Sequence, residues 1–264
     1  MVVATEPDGA DDLAAALPSG VSVLDRVEVA AHGLIVRVDA GAMPAGAVAM
    51  ELRRAGWMAL ARPAAGAALT AWERDSAPVR IADRLTIVAA CAEHRRHGAP
   101  GLVELGPGGF GNGHHPTTAL LLEVVADRIE GGERVLDVGA GSGVLGLAAL
   151  RLHAAKLVAI DVKASAREAT AANAILNGFA GSVDVTDLAP AQIDGEFDLV
   201  LANIARDGIA AEAAGLQART AGVLAVSGIT PSQAEQVAGL LPDLHVVDEL
   251  TDQGWAALVL ARRS

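Results

Sequence analysis

A chain of 264 residues with 52% hydrophobic and only 2% aromatic content, no Tyr and a formal charge of -12 is long enough for one large domain or two smaller ones, with a core of small aliphatic side chains. The acidic excess is uneven: residues 1–100 carry 10 basic and 12 acidic groups and residues 101–264 carry 10 and 20, a balance that argues against direct contact with nucleic acid and for a basic partner. A single cysteine, Cys91, rules out an internal disulfide, the early acids Glu6, Asp8, Asp11 and Asp12 do not read as a secretory signal, and no apolar run approaches a membrane span, so a soluble cytoplasmic protein is expected.

In chain order, the stretch to Gly20 reads as a frayed terminus with one short Ala-rich helix. Leu34–Val38 reads as a strand, Pro44–Trp57 as a helix with Pro in its first turn, and Ala68–Trp72 and Val79–Val88 as further strands. These make a small α+β unit over residues 1–100. A passage rich in Gly and Pro, Gly98–Pro100 and then Gly106–Gly113, leads into a second domain over residues 101–264.

There the pattern changes to alternating strands and helices. Pro116 opens a helix over Thr117–Ile129; strand Arg134–Val138, helix Ser142–Leu152, strand Leu157–Ile160 and helix Ala164–Leu176 follow, the last stopped by Asn177-Gly178. Strands Val183–Val185, Phe197–Ala202, Val223–Ser227, Leu244–Val247 and Trp255–Leu260 complete the set. The alternation predicts an α/β fold, a doubly wound and mostly parallel sheet of the Rossmann type. Asp252-Gln253-Gly254 is too short for a crossover, so the last two strands form an antiparallel hairpin.

The run Arg134–Gly146 passes from an apolar strand into glycines at 139, 141 and 143 and then into a helix, the pattern of a nucleotide cradle. Which nucleotide is open at this level. Gly141-Ser142-Gly143-Val144-Leu145-Gly146 satisfies the dinucleotide fingerprint, with Asp161 placed 20 residues after Gly141 for a ribose, so a hydride-transfer enzyme using NAD competes. Counted from Gly139, however, Val144 stands where the third glycine belongs, and Asp137 would set an anion beside a pyrophosphate. A carboxylate there suits S-adenosylmethionine, which has no phosphate and carries an ammonium and a sulfonium.

Phe110-Gly111-Asn112-Gly113-His114-His115-Pro116-Thr117-Thr118, Val135–Gly143, Ala159-Ile160-Asp161 and Leu201-Ala202-Asn203-Ile204 together resemble the PrmA family, methyltransferases that modify a stalk-base protein of the large ribosomal subunit. Order and spacing agree from Phe110 through Trp255. The resemblance implies an S-adenosylmethionine-dependent protein N-methyltransferase acting on a lysine side chain or N-terminal amine, with the N-terminal unit presenting a basic ribosomal protein. It implies that Thr118, Gly139, Asp161 and Asn203 bind the cofactor. The residues themselves suggest matching roles: Thr118 offers a hydroxyl and free helix-start donors, and Asp161 can accept both ribose hydroxyls. Asp137, Gly141 and Gly143 join the cofactor set through the strand end and turn, and Asp187 lies in reach of an adenine amine. Asn203 is assigned the catalytic role of orienting the amine, together with the Ala202 carbonyl. A lysine of pKa about 10.4 is neutral only about 0.04% of the time at pH 7, so desolvation and alignment carry the chemistry. Ile204-Ala205 follows Asn203 in place of the Pro-Pro-aromatic clamp used for flat nitrogens, which favours an sp³ amine.

Some positions depart from the family pattern: Asn112 and His114 replace a Thr pair, and Lys163 stands where a second acid is common. Cys91, His94 and His97 supply only three local ligands on a drifting helix face, which reads as a surface segment, and no metal site is expected. His114 and His115 diverge and suit a loop role, and Trp255 reads as core. Two other readings stay open: a methyltransferase for small-molecule amines, and a noncatalytic sensor of S-adenosylmethionine or NAD.

Overall fold

Three sheets carry the fold, seen in a computed structural model that describes residues 78–89, 100–106 and 111–262, the strand segments 2–5, 22–29, 33–39 and 58–60, and positions 17, 19, 48 and 52. The first sheet runs in the order β2 (Ser22–Val29), β3 (Gly33–Asp39), β1 (Val2–Thr5), β4 (Met58–Leu60), with β1 antiparallel to both neighbours. The start of the chain is therefore a paired strand and not a frayed end; Val2-Val3-Ala4-Thr5 is a β-prone tetrapeptide whose partners lie more than 25 residues away, out of reach of a local reading. Of the expected helix Pro44–Trp57, Val48 and Leu52 are described, both helical and buried. The expected Ala-rich helix before Gly20, the strand Ala68–Trp72 and the Cys91–His97 segment lie outside the described residues.

The segment expected as one strand over Val79–Val88 is a hairpin. β5 (Val79–Ile81) and β6 (Leu85–Ala89) pair antiparallel through a turn at Ala82-Asp83-Arg84, and Ala82 takes a positive φ of 43° without the Gly or Asn that normally signals one. β6 then pairs parallel with β7 (Leu102–Leu105). This pairing bridges the division expected at residue 100, and Ile81, Ile87, Val103 and Leu105 share one apolar core with the elements that follow.

The central sheet has seven strands. β8 (Arg134–Val138), β9 (Lys156–Ile160), β10 (Val183–Thr186), β11 (Phe197–Asn203) and β12 (Thr220–Ile229) are parallel, in spatial order β10-β9-β8-β11-β12. β13 (Leu244–Asp252) and β14 (Trp255–Arg262) close it as an antiparallel hairpin, β14 lying against β12. Gln253 and Gly254 both take positive φ, 48° and 81°, as a two-residue hairpin turn of the right twist requires. Both faces are covered, so the middle strands read as near-continuous apolar runs: α1 (Pro116–Arg128) and α2 (Val144–Arg151) pack on one core, and α4 (Arg206–Arg219) and α5 (Ala234–Gly239) contribute Ile209, Leu216, Ala234 and Val237 to the other. α3 (Ala164–Leu176) stops at Asn177, and Gly178 takes the positive φ of 80° that ends a helix.

Local chemistry fixes the elements nearest the cleft. Pro116 sits in the first turn of α1, and His115 caps it through Nδ1, which accepts the Thr117 N–H at 3.4 Å. At the other end the Arg84 guanidinium donates to the Ala126 and Ile129 carbonyls, so the β5–β6 turn closes the helix C-terminus. α2 lies close on β9 because residue 146 is glycine; a Cβ there would stand 2.5 Å from the Leu157 methyls.

Candidate functional site

The carboxyl ends of β8, β9 and β11 and the N-terminus of α1 meet at one edge of the central sheet, the edge at which doubly wound sheets hold ligands. Gly139, Gly141 and Gly143 form the turn after β8, with φ of 75°, 60° and 81°, so all three need glycine for the backbone alone. Two also face close neighbours: a Cβ on Gly139 would overlap Ile204 Cγ2, and one on Gly143 would lie 2.8 Å from Thr170 Cγ2.

Asp161 follows β9 and spans this turn. Its Oδ2 accepts the Gly141 N–H at 3.0 Å and its Oδ1 accepts the Lys163 N–H at 2.9 Å, which aligns the carboxylate without neutralising it. A carboxylate offers about four lone-pair positions, and these amides use two. Asp187 follows β10, is well exposed, and pairs with Arg167 at 3.3 Å; Arg167 also donates to the Asp161 carbonyl at 2.8 Å, tying the two strand ends together.

Asp137 is fully buried beneath the turn. Oδ2 accepts the Gly146 N–H at 3.1 Å, in the first turn of α2, while Oδ1 has no hydrogen-bond partner. Burial pushes its pKa up from 3.8 to about 7, the Gly146 bond opposes this, and the Asp161 charge adds to the rise. It thus lies under the cradle, touching its framework.

Asn203 ends β11 and donates from Nδ2 to Thr118 Oγ1 at 3.2 Å. Thr118 is fully buried in the first turn of α1, and Gly111 lies over it, its own carbonyl accepting the Ser142 hydroxyl. Because the Thr118 oxygen accepts from Asn203, its hydroxyl proton is left to donate. His114 is exposed on a turn in which its N–H meets Asn112 Oδ1 at 3.1 Å, while the half-buried His115 ring meets Trp255 edge-on at 5.2 Å and bonds Thr117 Oγ1 at 2.8 Å. Trp255 is half-buried against the core.

Five further residues, given no site role by the sequence, shape the site. Ser142 holds Gly111 onto the turn, and Thr170 Oγ1 donates to the Gly141 carbonyl at 3.2 Å. Asn173, buried, accepts the Gly106 N–H at 2.7 Å and donates to the Ser142 carbonyl at 2.8 Å, so one amide joins the end of β7 to the glycine turn. Asn177 pairs with both backbone groups of Glu104, at 2.9 and 2.7 Å. Thr170 and Asn173 on one face of α3 and Asn177 at its C-cap recur at helical spacing, a polar stripe that could have been found had its partners been known. Ile204 packs beside Gly139, as noted above.

The sequence profile described as ribosomal protein L11 methyltransferase (PrmA) matches residues 67–263. Proteins named ribosomal protein L11 methyltransferase from Pelotomaculum thermopropionicum and Enterococcus faecalis are 40% identical over 195 residues and 39% over 201, covering 71% and 73% of this chain. The chain spans 63% and 64% of their length. The crystal structure of a ribosomal protein L11 methylase from Lactobacillus delbrueckii subsp. bulgaricus superposes with a TM-score of 0.65 at 26% identity, covering 72% of this chain and all of the other.

Proposed function

The chain belongs to the ribosomal protein L11 methyltransferase (PrmA) family, and on that premise we propose that it methylates an amine of the L11 protein of the large ribosomal subunit, using S-adenosylmethionine. The observation that carries the cofactor reading is the pair of acids about the turn: Asp161, with two lone-pair positions left for a ribose diol, and Asp137 beneath it with an unpartnered oxygen. The Asp161 carboxylate beside the glycine turn favours a cationic nucleoside and opposes a pyrophosphate, and Asp137, buried with its pKa raised to about 7, adds only part of a charge to it.

When bound, S-adenosylmethionine supplies a methyl carbon activated by a sulfonium. Asp161 holds the ribose, Asp187 reaches the adenine amine from its ion pair with Arg167, and the backbone at Gly139, Gly141 and Gly143 lines the turn. The Thr118 hydroxyl receives the cofactor carboxylate; the helix-start donors expected from the sequence do not take part, because Pro116 has no N–H and the amides of Thr117, Thr118 and Ala119 are already bonded to His115. Asn203 and the Ala202 carbonyl orient the acceptor amine. Removing that amine from water lowers its pKa, and fixing it in line supplies the larger part of the acceleration. The acidic second half draws in a basic ribosomal protein, and a ribosomal substrate together with the single cysteine fits a cytoplasmic setting. Among the described residues no helix is long and apolar enough to cross a membrane.

Thermal unfolding with S-adenosylmethionine, S-adenosylhomocysteine and NAD tests the cofactor. A ligand at 100 times its Kd adds about 2.7 kcal/mol of stability. The first two are expected to stabilise the protein and NAD is not; stabilisation by NAD alone would overturn the reading.

A further inference from the structure

We propose that Ile204 is a positioning residue for methyl transfer: seated among three glycines from three separate elements, it fixes Asn203 relative to the cofactor turn. Gly139, in the turn after β8, leaves room for Ile204 Cγ2. Gly228, at the irregularity late in β12 with φ of 88°, admits the Ile204 carbonyl, which a Cβ there would approach to 2.6 Å. Gly208, in the first turn of α4, faces Ile204 Cδ1, which a Cβ there would approach to 3.3 Å.

β8 and β12 are the two neighbours of β11, so Ile204 is wedged where the chain leaves β11, immediately after Asn203. Gly139 and Gly228 need glycine for their backbone angles. Gly208 does not: its backbone is ordinary helix, where alanine is the better residue, and the side chain that a Cβ there would crowd is Ile204. Because Ile204 touches both the cofactor turn and the start of α4, a shift of its side chain moves Asn203 against Thr118 and Gly139. Misplacement of a reacting pair by about 1 Å costs on the order of a hundredfold in rate.

This role rests on the methyltransferase reading, and its test separates the two. Ile204→Ala, Ile204→Val, Gly208→Ala and the double variant Gly208→Ala/Ile204→Val are compared for methyl transfer to L11, for S-adenosylmethionine Kd by calorimetry and for thermal unfolding. Ile204→Ala is expected to lower kcat at least tenfold while Kd and the KM for S-adenosylmethionine stay within about threefold, and Ile204→Val, which keeps Cγ2, is expected to restore most of the rate. Gly208→Ala is expected to slow transfer about fivefold in the natural background and to add nothing to Ile204→Val, which lacks Cδ1. Should Ile204→Ala fail to fold, the Gly208→Ala comparison decides. Wild-type kcat in both Ile204→Ala and Gly208→Ala, or an equal effect of Gly208→Ala in both backgrounds, overturns the proposal alone. Failure of the unaltered protein to bind S-adenosylmethionine overturns the cofactor reading and this proposal with it.

Discussion

Asn203 donates its side-chain amide to the hydroxyl of Thr118 at 3.2 Å, across 85 residues of sequence, and so joins the end of β11 to the start of α1. The group assigned to the acceptor amine and the group assigned to the cofactor carboxylate thus hold each other. Asn203→Ala is expected to lower kcat by roughly 10–100-fold while leaving S-adenosylmethionine affinity within about threefold, and Thr118→Val to weaken affinity by about tenfold. Initial rates with calorimetric Kd values check both; the reverse pattern would exchange the two roles.

Asp161 is held by the amides of Gly141 and Lys163 before any ligand arrives. Hydrogen bonds to a charged group contribute about 1.5–3 kcal/mol each, so Asp161→Ala, which removes the acceptor for a ribose diol, is expected to weaken S-adenosylmethionine binding at least a hundredfold. Asp161→Asn keeps one acceptor and loses less. Calorimetric titration measures it, and an unchanged Kd in Asp161→Ala would remove Asp161 from the binding site.

The buried carboxyl of Asp137 makes stability depend on pH. Its folded pKa of about 7 exceeds the ordinary value of 3.8, so between those pH values the folded state keeps a proton that the unfolded chain has released. The contribution is therefore fully present below about pH 4 and is lost as pH rises to about 7. Between pH 5 and pH 8 the unaltered protein is expected to lose about 3 kcal/mol relative to Asp137→Asn, which carries no such proton. Urea denaturation of both proteins across that range is the check; parallel profiles would mean that Asp137 stays ionised.

Asn173 satisfies one backbone donor of β7's exit and one backbone acceptor of the glycine turn. Asn173→Leu strands both in the interior, at a cost of about 2–4 kcal/mol, whereas Asn173→Asp keeps the bond to Gly106 and is expected to cost less. Denaturant midpoints rank the two; equal stability of Asn173→Leu and the natural protein would show that water replaces the amide.

Much of the second half was legible in the sequence because its signals are local. Pro116, the glycines after β8 and the Asn177-Gly178 stop each mark a boundary by their own backbone chemistry, and the short Gln253-Gly254 link forces the final hairpin. The place of Asp161 against the glycine turn was legible for a related reason: 20 residues is the length of one helix and one strand, and its carboxylate does meet Gly141 after that interval. The turn at Ala82 was hidden because it uses neither Gly nor Asn, and Val2–Thr5 because a strand without alternation needs its partners to be identified. Asn173 and Ile204 were out of reach for a deeper reason. Each is defined by what it touches, and those partners, Gly106 and Ser142 for one and Gly139, Gly208 and Gly228 for the other, come together only through the order of strands in the sheet.

The most direct measurement is transfer of a labelled methyl group from S-adenosylmethionine to the proteins of unmethylated large ribosomal subunits, resolved by mass. Label on an amine of L11, abolished in Asp161→Ala and strongly reduced in Asn203→Ala, is the expected result. Label confined to small-molecule amines, or stable S-adenosylmethionine binding with no methyl transferred to any ribosomal protein, would contradict it.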